Sequence, residues 1–132
     1  MPNSIAPSQG YSLLQLLIAL LLFSLFATLA LPNYQTAMRQ SARSAAKAEL
    51  LRLADLQAQW RLSHTQYGTL AEIQAAAPTI PYQFAVTVNS NQAFSITATP
   101  ATDAQQHDDC GILQVTQDIR LSSQNPQSCP NP

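Results

Sequence analysis

Residues 11–31 read YSLLQLLIALLLFSLFATLAL, an apolar run that carries Gln15, Ser24 and Thr28 and no charged side chain. A helix needs about 20 such residues to cross the hydrocarbon core of a bilayer. A core helix of a soluble domain would show a polar stripe at 3.6-residue spacing, and this run shows none. The stretch therefore predicts a membrane-spanning helix. The ten residues before it, MPNSIAPSQG, are polar and aperiodic, and read as a leader or tail outside the fold.

Pro32 follows the apolar run directly. A proline inside a helix removes one backbone hydrogen bond and clashes with the preceding turn, so it ends a helix or kinks it. The next thirty residues favour a kink. From Asn33 to Leu62 there is no glycine and no further proline, and Ala, Leu, Gln, Arg and Glu dominate. Ala46, Leu50, Leu53, Leu56 (or Gln57) and Trp60 recur at three- and four-residue steps and make an apolar stripe. Arg39, Arg43 and Lys47 share a different face. One helix over 11–63 would measure roughly 80 Å at 1.5 Å per residue. Its first part, 11–32, is apolar all round, and its second part, 33–63, is amphipathic.

Beyond Tyr67-Gly68, Tyr82, Phe84, Val86 and Val88 alternate with Gln83, Ala85 and Thr87, the period-2 pattern of a half-buried strand. Asn89-Ser90-Asn91 reads as a turn, and Phe94, Ile96 and Ala98 begin a second strand that ends at Pro100. Residues 101–109 read as an exposed polar loop, residues 112–115 as a third strand and 119–121 as a short fourth. The fold class is α+β: a long, kinked N-terminal helix packed on a small antiparallel sheet, with residues 64–132 forming the loop, sheet and C-terminal segment.

Charge is distributed unevenly in these 132 residues, although the formal net charge is only −1. Arg39, Arg43, Lys47, Arg52 and Arg61 fall in one stretch, and Arg120 is the sole basic residue after them. Glu72, Asp103, Asp108, Asp109 and Asp118 make the C-terminal half acidic. Nucleic-acid binding needs clustered Lys and Arg on an exposed domain, and this placement argues against that partner. The chemistry of an enzyme is missing as well: three glycines leave no phosphate-binding loop, no serine lies in a nucleophile motif, and His64 and His107 are far apart in sequence. No catalytic, cofactor or metal site is expected. Cys110 and Cys129 lack a C-x-x-C partner motif, and in a small exported chain such a pair reads as one disulfide.

The N-terminal half resembles the type IV pilin family. Gly10-Tyr11-Ser12-Leu13-Leu14-Gln15-Leu16-Leu17-Ile18-Ala19 occupies the position of the family's leader glycine, aromatic first mature residue and apolar run. Counted from Tyr11, Pro32 falls where the family has its helix-kinking proline, and Leu31-Pro32-Asn33-Tyr34 matches its L-P-x-Y. Ser44–Leu50, Leu56–Trp60, Tyr67 before a loop and Asp109-Cys110-Gly111 are similar to minor pilins of the PilE type. The sequence departs from the family at Gln15, where Glu is usual, at Tyr11, where Phe is usual, and in a leader (1–10) without Lys or Arg.

The resemblance implies cleavage between Gly10 and Tyr11 by a prepilin peptidase and methylation of the new N-terminus. It implies residence in the inner membrane, with the C-terminus periplasmic, followed by polymerisation with other pilin subunits into an extracellular filament. Gln15 and Pro32 would be assembly residues, and no cofactor is implied. The function it implies is that of a minor pilin of a type IV pilus, in assembly, twitching motility or adhesion. A pseudopilin of a type II secretion or competence DNA-uptake machine is the alternative. An uncleaved anchor and a signal peptide ending at Ala30 are different outcomes that the N-terminal sequence leaves open.

Overall fold

The computed structural model describes residues 12–73, 75–76, 78–90 and 92–129, with the backbone but not the side chains of 29–32. Helix α1 spans Leu13–Arg61. Strands β1 (Tyr82–Ser90), β2 (Ala93–Pro100), β3 (Leu113–Thr116) and β4 (Leu121–Ser123) form one antiparallel sheet in the order β1-β2-β3-β4. A one-turn helix, α2 (Asp103–Gln106), lies between β2 and β3. The chain divides into two compact units, one extending to Thr36 and one from Ala37 onward, and α1 contributes to both.

In the second unit the sheet buries one face. Its register aligns Val86, Ile96, Val115 and Leu121 in one row across the four strands, and Phe84, Ala98 and Leu113 in the next. Side chains on a strand alternate between faces, so these rows point the same way. They meet Ala46, Leu50, Leu53 and Ala54 of α1, and Leu50, Ile96 and Val115 have no exposed surface. Burying each such aliphatic side chain contributes about 1.5–3 kcal/mol. The opposite face of the sheet is uncharged and polar: Ala85, Thr97, Gln114 and Ser122 lie in one row, and Thr87, Ser95 and Thr116 in another.

The segment after α1 is tied down by aromatic and polar contacts. Tyr67 meets Phe94 of β2 edge-on, with ring centroids 4.7 Å apart. The side-chain amide of Gln57, fully buried, exchanges two hydrogen bonds with the backbone of Gly68. Gly111 adopts φ +63°, a left-handed conformation that favours glycine, and it turns the chain from Cys110 into β3.

Three sequence expectations are corrected. Asn89 and Ser90, read as part of a turn, belong to β1, where Ser90 pairs with Ala93. The expected loop 101–109 contains α2 and turns inward at Gln105 and Asp108, both buried. The fourth strand begins at Leu121 rather than Ile119, since Ile119 has φ +56°, is exposed and closes a turn by donating its N–H to the Thr116 carbonyl.

Candidate functional site

The N-terminal unit is built around the apolar stretch of α1. Ser12 and Gln15 cap its first turn: the Ser12 N–H donates to Gln15 Oε1 at 3.1 Å, and the Leu14 N–H to Ser12 Oγ at 3.4 Å. Gln15 makes its half of a capping box, and the Ser12 hydroxyl caps the second helical N–H, so two of the donors a helix start leaves unpaired are satisfied. Farther along, Ser24 Oγ donates to the Leu21 carbonyl and Thr28 Oγ1 to the Leu25 carbonyl, both at 2.8 Å. The hydroxyls are thus bonded within the helix, as an apolar environment requires. Leu13, Leu14, Leu16, Leu17, Ile18 and the apolar residues on to Phe26 are all exposed, Phe23 by 74%. An 18-residue window of α1 has mean hydropathy 2.5, and the helix is long and apolar enough to cross a membrane.

Of the other residues singled out by sequence, Gly10 and Tyr11 lie outside the described residues. Pro32 lies within the helical backbone of α1, so the helix continues past it rather than ending there. Cys110 and Cys129 are joined in a disulfide with an S–S distance of 2.04 Å. The two cysteines are buried in the core cluster beside Leu113 and Val115.

Sequence reasoning did not find the polar cluster around that bond. Arg43 Nη1 donates to Cys110 Sγ at 2.6 Å and pairs with Asp108 Oδ1 at 3.2 Å. Gln105 Nε2 donates to the Tyr82 hydroxyl at 2.8 Å and to the Arg39 carbonyl at 3.3 Å. Burial pushes the Tyr82 phenol up, with the Gln105 donation pulling partly the other way. The Lys47 ammonium is lowered, first by desolvation and then by the neighbouring Arg43 charge, against an opposing pull from Asp108. The signal in the sequence was an Arg on the helix and an Asp two residues before a cysteine, a pairing that no local pattern announces.

Both histidines make local contacts. His107 Nδ1 lies 2.7 Å from the Asp103 carbonyl, and His64 Nδ1 lies 3.0 Å from the Trp60 carbonyl, so Nδ1 of each ring serves a local turn. His64 stacks flat on Trp60 at 3.6 Å between centroids. No group of three or more His, Cys, Asp or Glu able to hold a metal occurs among the described residues. A cavity of ≈ 400 Å³ beside β1, lined by Leu53, Leu70, Tyr82, Phe84 and Glu49 among others, is mainly apolar, and Glu49 is paired with Arg52.

Residues 32–114 match the model of the family described as type IV minor pilin ComP, DNA uptake sequence receptor. The chain belongs to that family. Similar in structure is a type IV pilin from Shewanella oneidensis, with a TM-score of 0.52 and 25% identity, covering 63% of this chain and 89% of that one. No curated protein matches the chain in sequence. The pilin fold, a long N-terminal helix packed on a four-stranded antiparallel sheet, is that of a structural subunit rather than an enzyme. The matched span of this minor pilin begins at Pro32, takes in Arg43, Asp108 and Cys110, and ends within β3 before Cys129.

Proposed function

We propose that this minor pilin is made as a prepilin and cleaved between Gly10 and Tyr11. It is held in the inner membrane by residues 11–32, with its C-terminus periplasmic, and is then transferred through the same helix into an extracellular type IV pilus. The observation that carries this reading is the all-round apolar, exposed surface of α1 from Leu13 to Phe26, with Ser24 and Thr28 satisfied internally. Such a surface is equally at home among lipid tails and among apolar helices of neighbouring subunits, so the subunit moves between them without exposing a charged group. Its partners would be the prepilin peptidase and other pilin subunits, and its roles pilus assembly, twitching motility and adhesion.

Mass spectrometry of the mature protein from cells with an active peptidase tests the proposal. A chain beginning at methylated Tyr11 is expected, and Gly10→Val should leave a longer, membrane-retained precursor. A mature chain beginning at Leu31 or Met1 would overturn it.

The family description favours a second reading, that of a DNA receptor on the filament. Electrostatics gives it little support in this chain. Arg43 and Arg52 are paired with Asp108 and Glu49, and Arg61 Nη1 donates to the His64 carbonyl, its guanidinium 5.8 Å from the Tyr67 ring centre. Cations engaged in this way contribute little to phosphate binding, so the electrostatic share of duplex affinity would be small. Duplex binding by the detergent-solubilised chain, titrated from low to physiological salt, distinguishes the readings. Sequence-specific binding that survives physiological salt would establish the receptor role; binding confined to low salt would leave the structural one.

A further inference from the structure

The Cys110–Cys129 bond is electrostatically lopsided. Arg43 Nη1 lies 2.6 Å from Cys110 Sγ, and the same nitrogen is 3.2 Å from Asp108 Oδ1. The Arg43 and Asp108 side chains are 8% and 6% exposed, so this is a low-dielectric site. Lys47 on the next turn of α1 is close enough for Arg43 and Asp108 both to act on it, and the Tyr82 hydroxyl faces Asp108 from β1.

Access is lopsided in the opposite sense. Cys110 has no exposed surface, whereas Cys129 is 5% exposed and ends a turn whose preceding residues, 124–128, are all exposed. The Cys129 N–H is held by the Asn125 carbonyl at 3.0 Å, a local bond that opens without disturbing the sheet.

We propose that Arg43 gives this disulfide a fixed direction of thiol–disulfide exchange, with Cys129 the sulfur attacked and Cys110 the sulfur that leaves. An incoming thiolate, from a small thiol or a dithiol oxidoreductase, places its electron pair on Cys129 Sγ and forms a mixed disulfide. The Cys110–Cys129 bond breaks and its electron pair stays on Cys110 Sγ, which becomes a thiolate held by the Arg43 guanidinium. One S–S bond forms, one breaks, and no proton moves in the step. Run in reverse after export, the Cys110 thiolate attacks a mixed disulfide on Cys129, expels the partner thiolate and closes the loop. A thiolate beside an arginine is stabilised by a charge-assisted hydrogen bond, and the lower the basicity of the leaving thiol, the faster the exchange. Arg43 acts through Cys110 and is a positioning residue.

The two cysteines fall on different tryptic peptides, because the chain is cut after Arg120. The full chain in detergent micelles is treated with reduced glutathione, quenched with acid and digested. Glutathione is expected on the 121–132 peptide, and its appearance on the Cys110 peptide instead would overturn the proposal. Arg43→Met should slow bond opening at least about threefold, Arg43→Lys should retain most of the rate, and Asp108→Asn should quicken it. Loosened packing alone would expose the bond and speed its opening, so slower exchange in Arg43→Met separates leaving-group stabilisation from a structural defect. An unchanged or faster rate in that variant refutes the idea. Should Arg43→Met fail to fold, the pH profile of iodoacetamide labelling of Cys110 in the reduced native chain decides. A midpoint well below the ordinary thiol value of about 8.5 supports the proposal, and a midpoint at or above it overturns it.

Discussion

Gln57 and Gly68 hold each other by reciprocal hydrogen bonds: Gln57 Nε2 donates to the Gly68 carbonyl at 2.6 Å, and the Gly68 N–H donates to Gln57 Oε1 at 3.0 Å. The amide acts as a short piece of strand, pairing with the loop backbone where no secondary structure does. Gln57→Leu keeps the volume but leaves a buried N–H and a buried carbonyl without partners. It should lower unfolding free energy by about 2–4 kcal/mol, since each unsatisfied group costs about 1–3 kcal/mol. Urea unfolding followed by near-UV circular dichroism checks it. Gly68→Ala should cost less, about 1 kcal/mol, through crowding alone. Its Cβ would sit 3.0 Å from Ile73 Cγ2 and 3.1 Å from Trp60 Cε2, while Gly111 is the only described glycine with positive φ.

The same pair shows what the sequence leaves undecided. Apolar spacing on α1 admitted either Leu56 or Gln57 into the buried stripe. The structure buries Gln57 fully and Leu56 partly, because the returning loop offers unpaired backbone groups that only the amide satisfies. The burial of Arg43 was undecided for a related reason: periodicity tells which residues share a face, and its burial depends on Asp108 and Cys110, which arrive from far along the chain. By contrast the alternation of Tyr82–Val88 and Phe94–Ala98 was legible, although β1 runs on through Asn89-Ser90 and Ser95 on the far face of β2 is buried. Strand β4, three residues long and next to a left-handed Ile119, carries too little pattern to fix its start. The apolar helix was legible from composition alone.

Tyr82 couples the cluster to pH. Its phenol is raised first by burial, so the folded chain favours the protonated form. The stability it contributes is complete below the ordinary tyrosine range and is lost as pH rises through the higher folded value. Tyr82→Phe removes the hydrogen bond from Gln105 Nε2 (2.8 Å) and should cost about 1 kcal/mol at neutral pH. The variant should also lose less stability than the parent between neutral and strongly alkaline pH. Urea midpoints measured across that range test both statements; an equal alkaline loss in the two proteins would refute the second.

Thr69 and Glu72 form a capping box in the loop. The Thr69 N–H donates to Glu72 Oε2 at 2.7 Å, and the Glu72 N–H to Thr69 Oγ1 at 3.4 Å. The backbone hydrogen bond from Thr69 is the main reason the Glu72 carboxyl lies below its usual range. A depressed carboxylate contributes stability above the ordinary glutamate range and loses it as pH falls through the lower folded value. Side-chain NMR titration should find Glu72 the more acidic partner in a comparison of the parent with Thr69→Val, where the cap hydroxyl is gone. Indistinguishable titration curves would show that the side-chain half of the box has no influence.

Gln15 is the most informative position on the assembly helix. Its Oε1 accepts the Ser12 N–H at 3.1 Å, and a glutamate carboxylate would accept the same bond in the same geometry. The first turn of α1 has no acidic residue, so a carboxylate there would also complement the helix dipole. Gln15→Glu therefore leaves the subunit's own helix start intact or slightly firmer, and the one property it changes is charge toward neighbours. In a filament shaft that charge would face a neighbouring subunit's N-terminal amine and find a partner. At a tip it would be buried in apolar surroundings alone, which costs several kcal/mol or forces it to take up a proton. If this subunit caps filaments, Gln15→Glu should impair initiation or be silent and should not raise the number of copies per filament. Quantitative immunoblotting of sheared filaments, from parent and variant strains at matched expression, measures that number. Greater incorporation of the Glu variant along the shaft would mean that the missing charge merely limits polymerisation, and the tip assignment would fall.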